Sequence, residues 1–250
     1  MQSKYRAGLL ALCLSLLCGQ VAAQEKFRIY TENYPPFNMS ISGQTFAHKP
    51  DDITGLCTDL VKQMLTHTSI SYSMKLRDWS AGLSRAMKKP NHGIFCTAKT
   101  EERLPYFNWV GPLAEIQWTL FAKPGSSIKL NKLEDAKKYR IGGYKGDVLS
   151  DYLIERGFNV INITNDALNP RKLVLGQIDL WVSDKLSGPY LASETEDIED
   201  LVPALVFNST PLYLAVNKET SPKTLESLKN AYKLIKSNGE ADAITEQYVQ

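Results

Sequence analysis

Segments of strand period and segments of helix period alternate along almost the whole chain, and the pattern restarts once. Residues 27–30, 70–74, 93–97 and 118–122 read as strands, and 59–65 and 81–88 as helices, the first with Leu60, Val61, Met64 and Leu65 on one face. Lys123-Pro124-Gly125 then breaks the run. Beyond it, strands at 139–144, 159–163 and 178–183 alternate with helices at 148–153, 171–175 and 184–192. A strand at 212–216 and helices at 225–236 and 241–248 complete the pattern. Such alternation belongs to the α/β class, in which helices cover the faces of a sheet. The restart predicts two lobes, residues 24–114 plus 207–250 forming lobe 1 and residues 115–206 forming lobe 2. Two chain crossings, near 111–115 and 206–211, would then act as a hinge. A cleft between two such lobes is a favoured ligand site.

The first 23 residues read as a secretory leader. Lys4 and Arg6 precede an apolar run at 7–17, too short to span a bilayer, and Val21-Ala22-Ala23 is a small-residue cleavage site. The expectation is an exported, periplasmic protein. Taking Lys4 and Arg6 away with the leader lowers the 29 basic side chains to 27, equal to the 27 acidic ones. That balance gives no electrostatic reason to expect nucleic acid or an anionic membrane as partner. Two of the 4 cysteines lie in the leader, leaving Cys57 and Cys96. Two readings of them stand: a disulfide, which an oxidising compartment permits, or two buried thiols. His48, His67 and His92 are scattered without metal-ligand spacing. The sequence has no Gly-rich phosphate loop and no nucleophile elbow, so neither a cofactor nor a metal is expected.

The stretch Thr97-Ala98-Lys99-Thr100-Glu101-Glu102-Arg103 carries the most chemical information. An apolar strand, Ile94-Phe95-Cys96, runs into a polar turn closed by one arginine, and Phe107-Asn108-Trp109-Val110-Gly111-Pro112 follows. Backbone N–H groups and a guanidinium brought to one spot suit a carboxylate, because the planar fork matches both oxygens. Read alone, the same charges also fit a solvated helix start.

In order along the chain, Tyr34-Pro35-Pro36-Phe37, Gly55-Leu56-Cys57-Thr58-Asp59-Leu60, Trp79, Thr100-Glu101-Glu102-Arg103, Gly176-Gln177-Ile178-Asp179 and Ser183-Asp184 resemble the bacterial extracellular solute-binding proteins of family 3, the polar-amino-acid binders of ABC transporters. The resemblance covers residues 26–248 and implies a two-lobed, periplasmic-binding-protein-like (type II) clamshell. It implies a monomer that delivers a small polar or zwitterionic ligand to the membrane permease of an ABC transporter. By resemblance, Arg103 holds the ligand carboxylate with backbone groups around Thr97 and Ala98. The helix start Gly146-Asp147-Val148 offers amides to the same carboxylate, and Asp184 takes the ammonium. Tyr34 and Trp79 flank the ligand side chain. Two departures bear on the ligand. The carboxylate cradle reads Phe95-Cys96-Thr97-Ala98 where the family is rich in Ser and Thr. An acid, Asp147, follows Gly146, and it would repel a carboxylate if its side chain faced the cleft. The alternatives are an enzyme like the cyclohexadienyl dehydratases, with Asp147 or Asp184 as general acid, and a sensor that presents ligand to a membrane receptor. Asp184 also has the simpler reading of a helix cap, Asp59 that of a residue orienting its helix, and Trp109 and Trp181 that of core.

Overall fold

The computed structural model describes residues 26–248, so the leader at 1–23 lies outside the described residues. In chain order the strands are β1 (Phe27–Thr31), β2 (Met39–Ser40), β3 (Ile53–Thr54), β4 (Tyr72–Leu76), β5 (His92–Ala98), β6 (Phe107–Ala122), β7 (Ile141–Tyr144), β8 (Val160–Ile163), β9 (Leu180–Asp184) and β10 (Val202–Asn217). The helices are α1 (Leu56–Thr66), α2 (Trp79–Lys88), α3 (Val148–Glu155), α4 (Asn169–Val174), α5 (Ser187–Glu196), α6 (Pro222–Ser237) and α7 (Glu240–Glu246). Eight strands join in the order β4-β1-β5-β10-β6-β9-β7-β8, and β2 pairs with β3 apart from them.

The order explains the two lobes. β4, β1 and β5 are parallel, and so are β9, β7 and β8. Between these trios stand β6 and β10, 16 residues each, paired antiparallel from Val202↔Ala122 to Asn217↔Phe107. β5 takes up β10 at residues 212–216, and β9 takes up β6 at residues 118–121. The middle of the ribbon thus has no third strand beside it. Its register shifts at Pro203/Leu205, Val206/Asn208 and Leu212/Leu214, irregularities that bend and twist a strand pair. The sequence reading stops short here, with strands only at 118–122 and 212–216. The extra residues carry Gly111, Pro112 and Pro211, which read as breaks; Pro211 nevertheless pairs with Glu115, while Gly111 and Pro112 fall within β6 at the register shift opposite Leu212/Leu214.

Elsewhere the elements follow their patterns. β5 is buried along its whole length, as a strand covered on both faces must be. α1 buries Leu60, Val61, Met64 and Leu65 as its 3.6 period requires, and packs on α6 and α7. Its first turn is held by the Pro-Pro loop: Leu56 N–H donates to Pro36 O, and Cys57 N–H to Phe37 O. That approach needs a glycine before the helix. Gly55 has φ 115, and a Cβ on it would lie 2.5 Å from Phe37 O. Asp59 orients the same helix end, accepting from the hydroxyls of Thr54 and Tyr248. Cys57 and Cys96 are joined in a disulfide, tying α1 to β5. Trp181 is fully buried, with its indole N–H donating to Asp166; Trp109 is half-buried beside Phe107 and Tyr213.

One boundary shift affects the site. The helix read at 184–192 begins at Ser187, and Asp184 is the last residue of β9. Its carboxylate accepts from Leu186 N–H and Ser187 N–H with Oδ1 and from Gln117 N–H with Oδ2.

Candidate functional site

The predicted residues come together at the C-terminal ends of the parallel strands. Thr97 and Ala98 end β5 and are buried. The turn that follows brings Arg103 back over them, its N–H donating to Thr100 O. Arg103 Nη1 donates to Thr97 Oγ1 at 3.0 Å and to Ala98 O at 3.1 Å. The guanidinium carbon lies 5.2 Å from the centre of the Trp79 ring, so the fork is held by a cation–π contact as well. Trp79 is the first residue of α2, whose start is capped by Asp78 accepting from Ala81 N–H. Tyr34 stands in the Pro-Pro loop, its ring stacked on Phe37. From the other trio of strands come Asp147 and Val148, at the start of α3.

These groups, with Glu32, Cys96, Ile116, Tyr144 and Leu212, line a space of about 30 Å³, room for one or two water molecules. It adjoins a chamber of about 440 Å³, which shares Glu32, Tyr34 and Tyr144 as walls. Arg77, Asp78, Asp166, Tyr190 and Glu194 are among the chamber's other lining residues.

Asp184 lines neither space. With three main-chain donors on its carboxylate, it fixes the turn from β9 into α5 and binds that turn to the Gln117 amide of β6. The ammonium role expected from resemblance thus competes with three main-chain donors on that carboxylate, whose charge also reaches Tyr34 on the wall of both spaces.

Other carboxylates are. Burial pushes Glu32 up to about 8, with the field of Asp147 adding to the rise and the Tyr144 hydroxyl opposing it. Burial likewise raises Asp147 to about 7; the field of Asp166 raises it further, and Arg103 opposes the rise. Asp166 is raised by burial to about 6, although Asn169 and Trp181 donate to it. Burial lowers the Arg103 pKa, and the fields of Asp147 and Glu32 oppose the fall. Tyr34 and Tyr144 are raised by burial, so both hydroxyls stay protonated. Among the described residues there is no group of three or more His, Cys, Asp or Glu side chains that could hold a metal ion.

No protein-family model matches the sequence, and no curated protein is similar to it. Solved structures are similar along nearly the whole chain. A histidine kinase sensor domain with similarity to periplasmic binding proteins has a TM-score of 0.79 at 18% identity, over 90% of this chain and 96% of that one. The arginine-, lysine-, histidine-binding protein ArtJ from Geobacillus stearothermophilus gives 0.75 at 17%, over 90% and 95%. The ancestral amino acid-binding protein AncCDT-1, a precursor of cyclohexadienyl dehydratase, gives 0.74 at 20%, over 90% and 95%. The chain has the two-lobed fold of the periplasmic binding proteins.

In this periplasmic-binding-protein fold the residues that sequence reasoning missed share one address. Glu32 follows β1, Arg77 and Asp78 follow β4, Tyr144 ends β7, and Asp166 lies three residues beyond β8. Ligands of open α/β sheets bind outside the carboxyl ends of the parallel strands. The signal that could have found these residues was therefore a polar side chain just after each strand, wherever its motif was unfamiliar.

Proposed function

We propose that the protein is an exported solute-binding protein. It closes two lobes, residues 24–114 plus 207–250 and residues 115–206, around a small polar ligand bearing an amino group. As a monomer it delivers that ligand to the permease of an ABC transporter. The observation that carries this reading is the make-up of the cleft. Glu32, Tyr34, Trp79, Thr97, Ala98 and Arg103 come from one trio of strands and its loops, and Tyr144, Asp147, Val148 and Asp166 from the other. A ligand touching both trios holds them together, and the ribbon of β6 and β10 supplies the flexible connection. The likeness to ArtJ and to AncCDT-1 supports a binding role.

Small-angle scattering tests it. A ligand that raises the melting temperature should also reduce the radius of gyration. Identical scattering curves with and without saturating ligand would refute closure.

One observation favours a second reading, an enzyme of the dehydratase kind. Glu32 and Asp147 hold protons near neutral pH beside Arg103, and an elimination needs such a donor. Incubation with prephenate and arogenate, read by mass spectrometry, separates the two. Product that disappears in Asp147→Asn would establish the enzyme.

A further inference from the structure

The charged groups facing the two cleft spaces are unequal in sign. Glu32, Asp78, Asp147, Asp166 and Glu194 stand against Arg77 and Arg103. The two cations do not cancel them evenly. Arg103 spends Nη1 on Thr97 Oγ1 and Ala98 O and lies against the Trp79 ring, inside the smaller space, where Asp147 stands beside it and competes for the rest of the fork. A ligand carboxylate pressed against that fork would also meet the Asp147 carboxylate. The larger chamber has the acids Glu32, Asp78, Asp166 and Glu194 on its walls, with Arg77 alone opposing them. Its aromatic walls, Tyr34, Phe46, Tyr144 and Tyr190, offer π faces that attract a cation. Asp78 spends one oxygen on the α2 cap, and Asp166 Oδ1 takes both the Asn169 amide and the Trp181 indole N–H. Glu32 is shared by both spaces, at their junction.

Resting on the cleft reading above, we propose that the ligand is a small organic cation with amine or guanidinium groups in excess of carboxylates. A carboxylate-free amine is held more tightly than the amino acid from which it differs only by that carboxylate. Its cationic head lies between Glu32 and Asp166, over the tyrosine faces. Asp147 is the residue that disfavours the carboxylate, because a carboxylate at the Arg103 fork opposes the ionisation of Asp147 that an entering cation draws out.

A proton count follows from the same arrangement. In the ligand-free cleft Glu32, Asp147 and Asp166 crowd one another, and burial favours their protonated forms. An entering cation favours the ionised forms, so binding releases protons. The amine itself stays charged throughout. Affinity therefore rises with pH between about 6 and 8, by up to tenfold per pH unit for each proton released.

Isothermal titration with agmatine against arginine, and cadaverine against lysine, reads both features. Glutamine and glutarate complete the panel, and each titration is run in two buffers of different ionisation enthalpy. The expected result is at least tenfold tighter binding of each amine than of its amino acid, with proton release. Glu32→Gln should weaken the amines at least tenfold while leaving the far-UV dichroism unchanged, and Asp147→Asn should narrow the gap between arginine and agmatine. Tighter binding of arginine, lysine, glutamine or glutarate, with closure seen by scattering, would overturn the charge assignment and leave the cleft reading standing. No binding by any of the six would overturn the charge assignment, and the scattering screen with other ligands would then decide the cleft reading separately.

Discussion

Reducing the Cys57–Cys96 disulfide should cost this protein a large share of its stability. The bond spans 39 residues of sequence. By chain entropy, a closed loop of that length lowers the entropy of the unfolded chain enough to stabilise the fold by about 4 kcal/mol. That loss arises in the unfolded chain, and the native state adds little to it when the sulfurs separate, because α1 stays attached through the Pro36 and Phe37 carbonyls and its packing on α6 and α7. Reduction keeps both sulfur atoms in the core, so it removes the cross-link without carving a cavity. Urea unfolding with and without dithiothreitol is the assay. With an m-value of about 3 kcal/mol/M, the midpoint should fall by roughly 1.3 M. The double variant Cys57→Ala/Cys96→Ala should show no response to the reductant and unfold at or below the reduced midpoint. Equal midpoints for oxidised and reduced wild type, or two titratable thiols in the oxidised sample, would refute the reasoning.

Three further outcomes are expected. Asp184→Ala should destabilise the protein by about 3 kcal/mol, because the main-chain amides of Gln117, Leu186 and Ser187, the last of them buried, lose a carboxylate acceptor; that is a fall of roughly 6–12 °C in melting temperature, and a melting curve unchanged from wild type would refute it. Gly143→Ala should cost about 1–3 kcal/mol by overpacking, since its Cβ would lie 2.4 Å from Ser150 Oγ and 2.7 Å from Asn162 Oδ1; because Ser150 Oγ accepts from the Tyr144 amide, ligand affinity should fall too, and calorimetry on the folded variant checks both. Glu32 is raised in the fold from 4.5 to about 8, so its contribution to stability is full below its unfolded pKa and is lost as pH rises through about 8; ligand-free Glu32→Gln should show a flatter melting-temperature profile between pH 5 and pH 8, and an identical profile would show that the carboxyl ionises freely.

The fold was legible because its signals are local. Alternating strand and helix periods, with the break at Lys123-Pro124-Gly125, carried the α/β class and the division into two lobes. Period fails where strands leave a two-sided environment. In the middle of β6 and β10 burial is irregular and Gly111, Pro112 and Pro211 intervene, so no alternation announces the ribbon. The site was legible in part. Arg103, Thr97, Ala98, Trp79, Tyr34 and Val148 meet at one small space, and the turn that delivers the arginine is written in contiguous residues. Asp184 shows the limit of that reasoning. Its place after a strand suits a ligand contact or a turn acceptor equally, and only three converging amides separate the two. Glu32 and Asp166 had only the weak signal of a polar side chain soon after a strand, because what sets them apart is closeness across the cleft, between residues far apart in sequence.

The pairing of Ala122 with Val202 has an engineering consequence. Everything between them leaves the ribbon and returns to it at facing positions. Residues 123–201 are thus a cassette spliced into a hairpin, and a short turn joining Ala122 to Val202 would close the stem behind them. A fluorescent reporter grafted into the middle of either arm, where neither β5 nor β9 flanks the ribbon, would sense any rotation of the cassette at the hinge itself. The same splice also lets a cassette from another protein of this fold be exchanged without redrawing the path of the remaining chain.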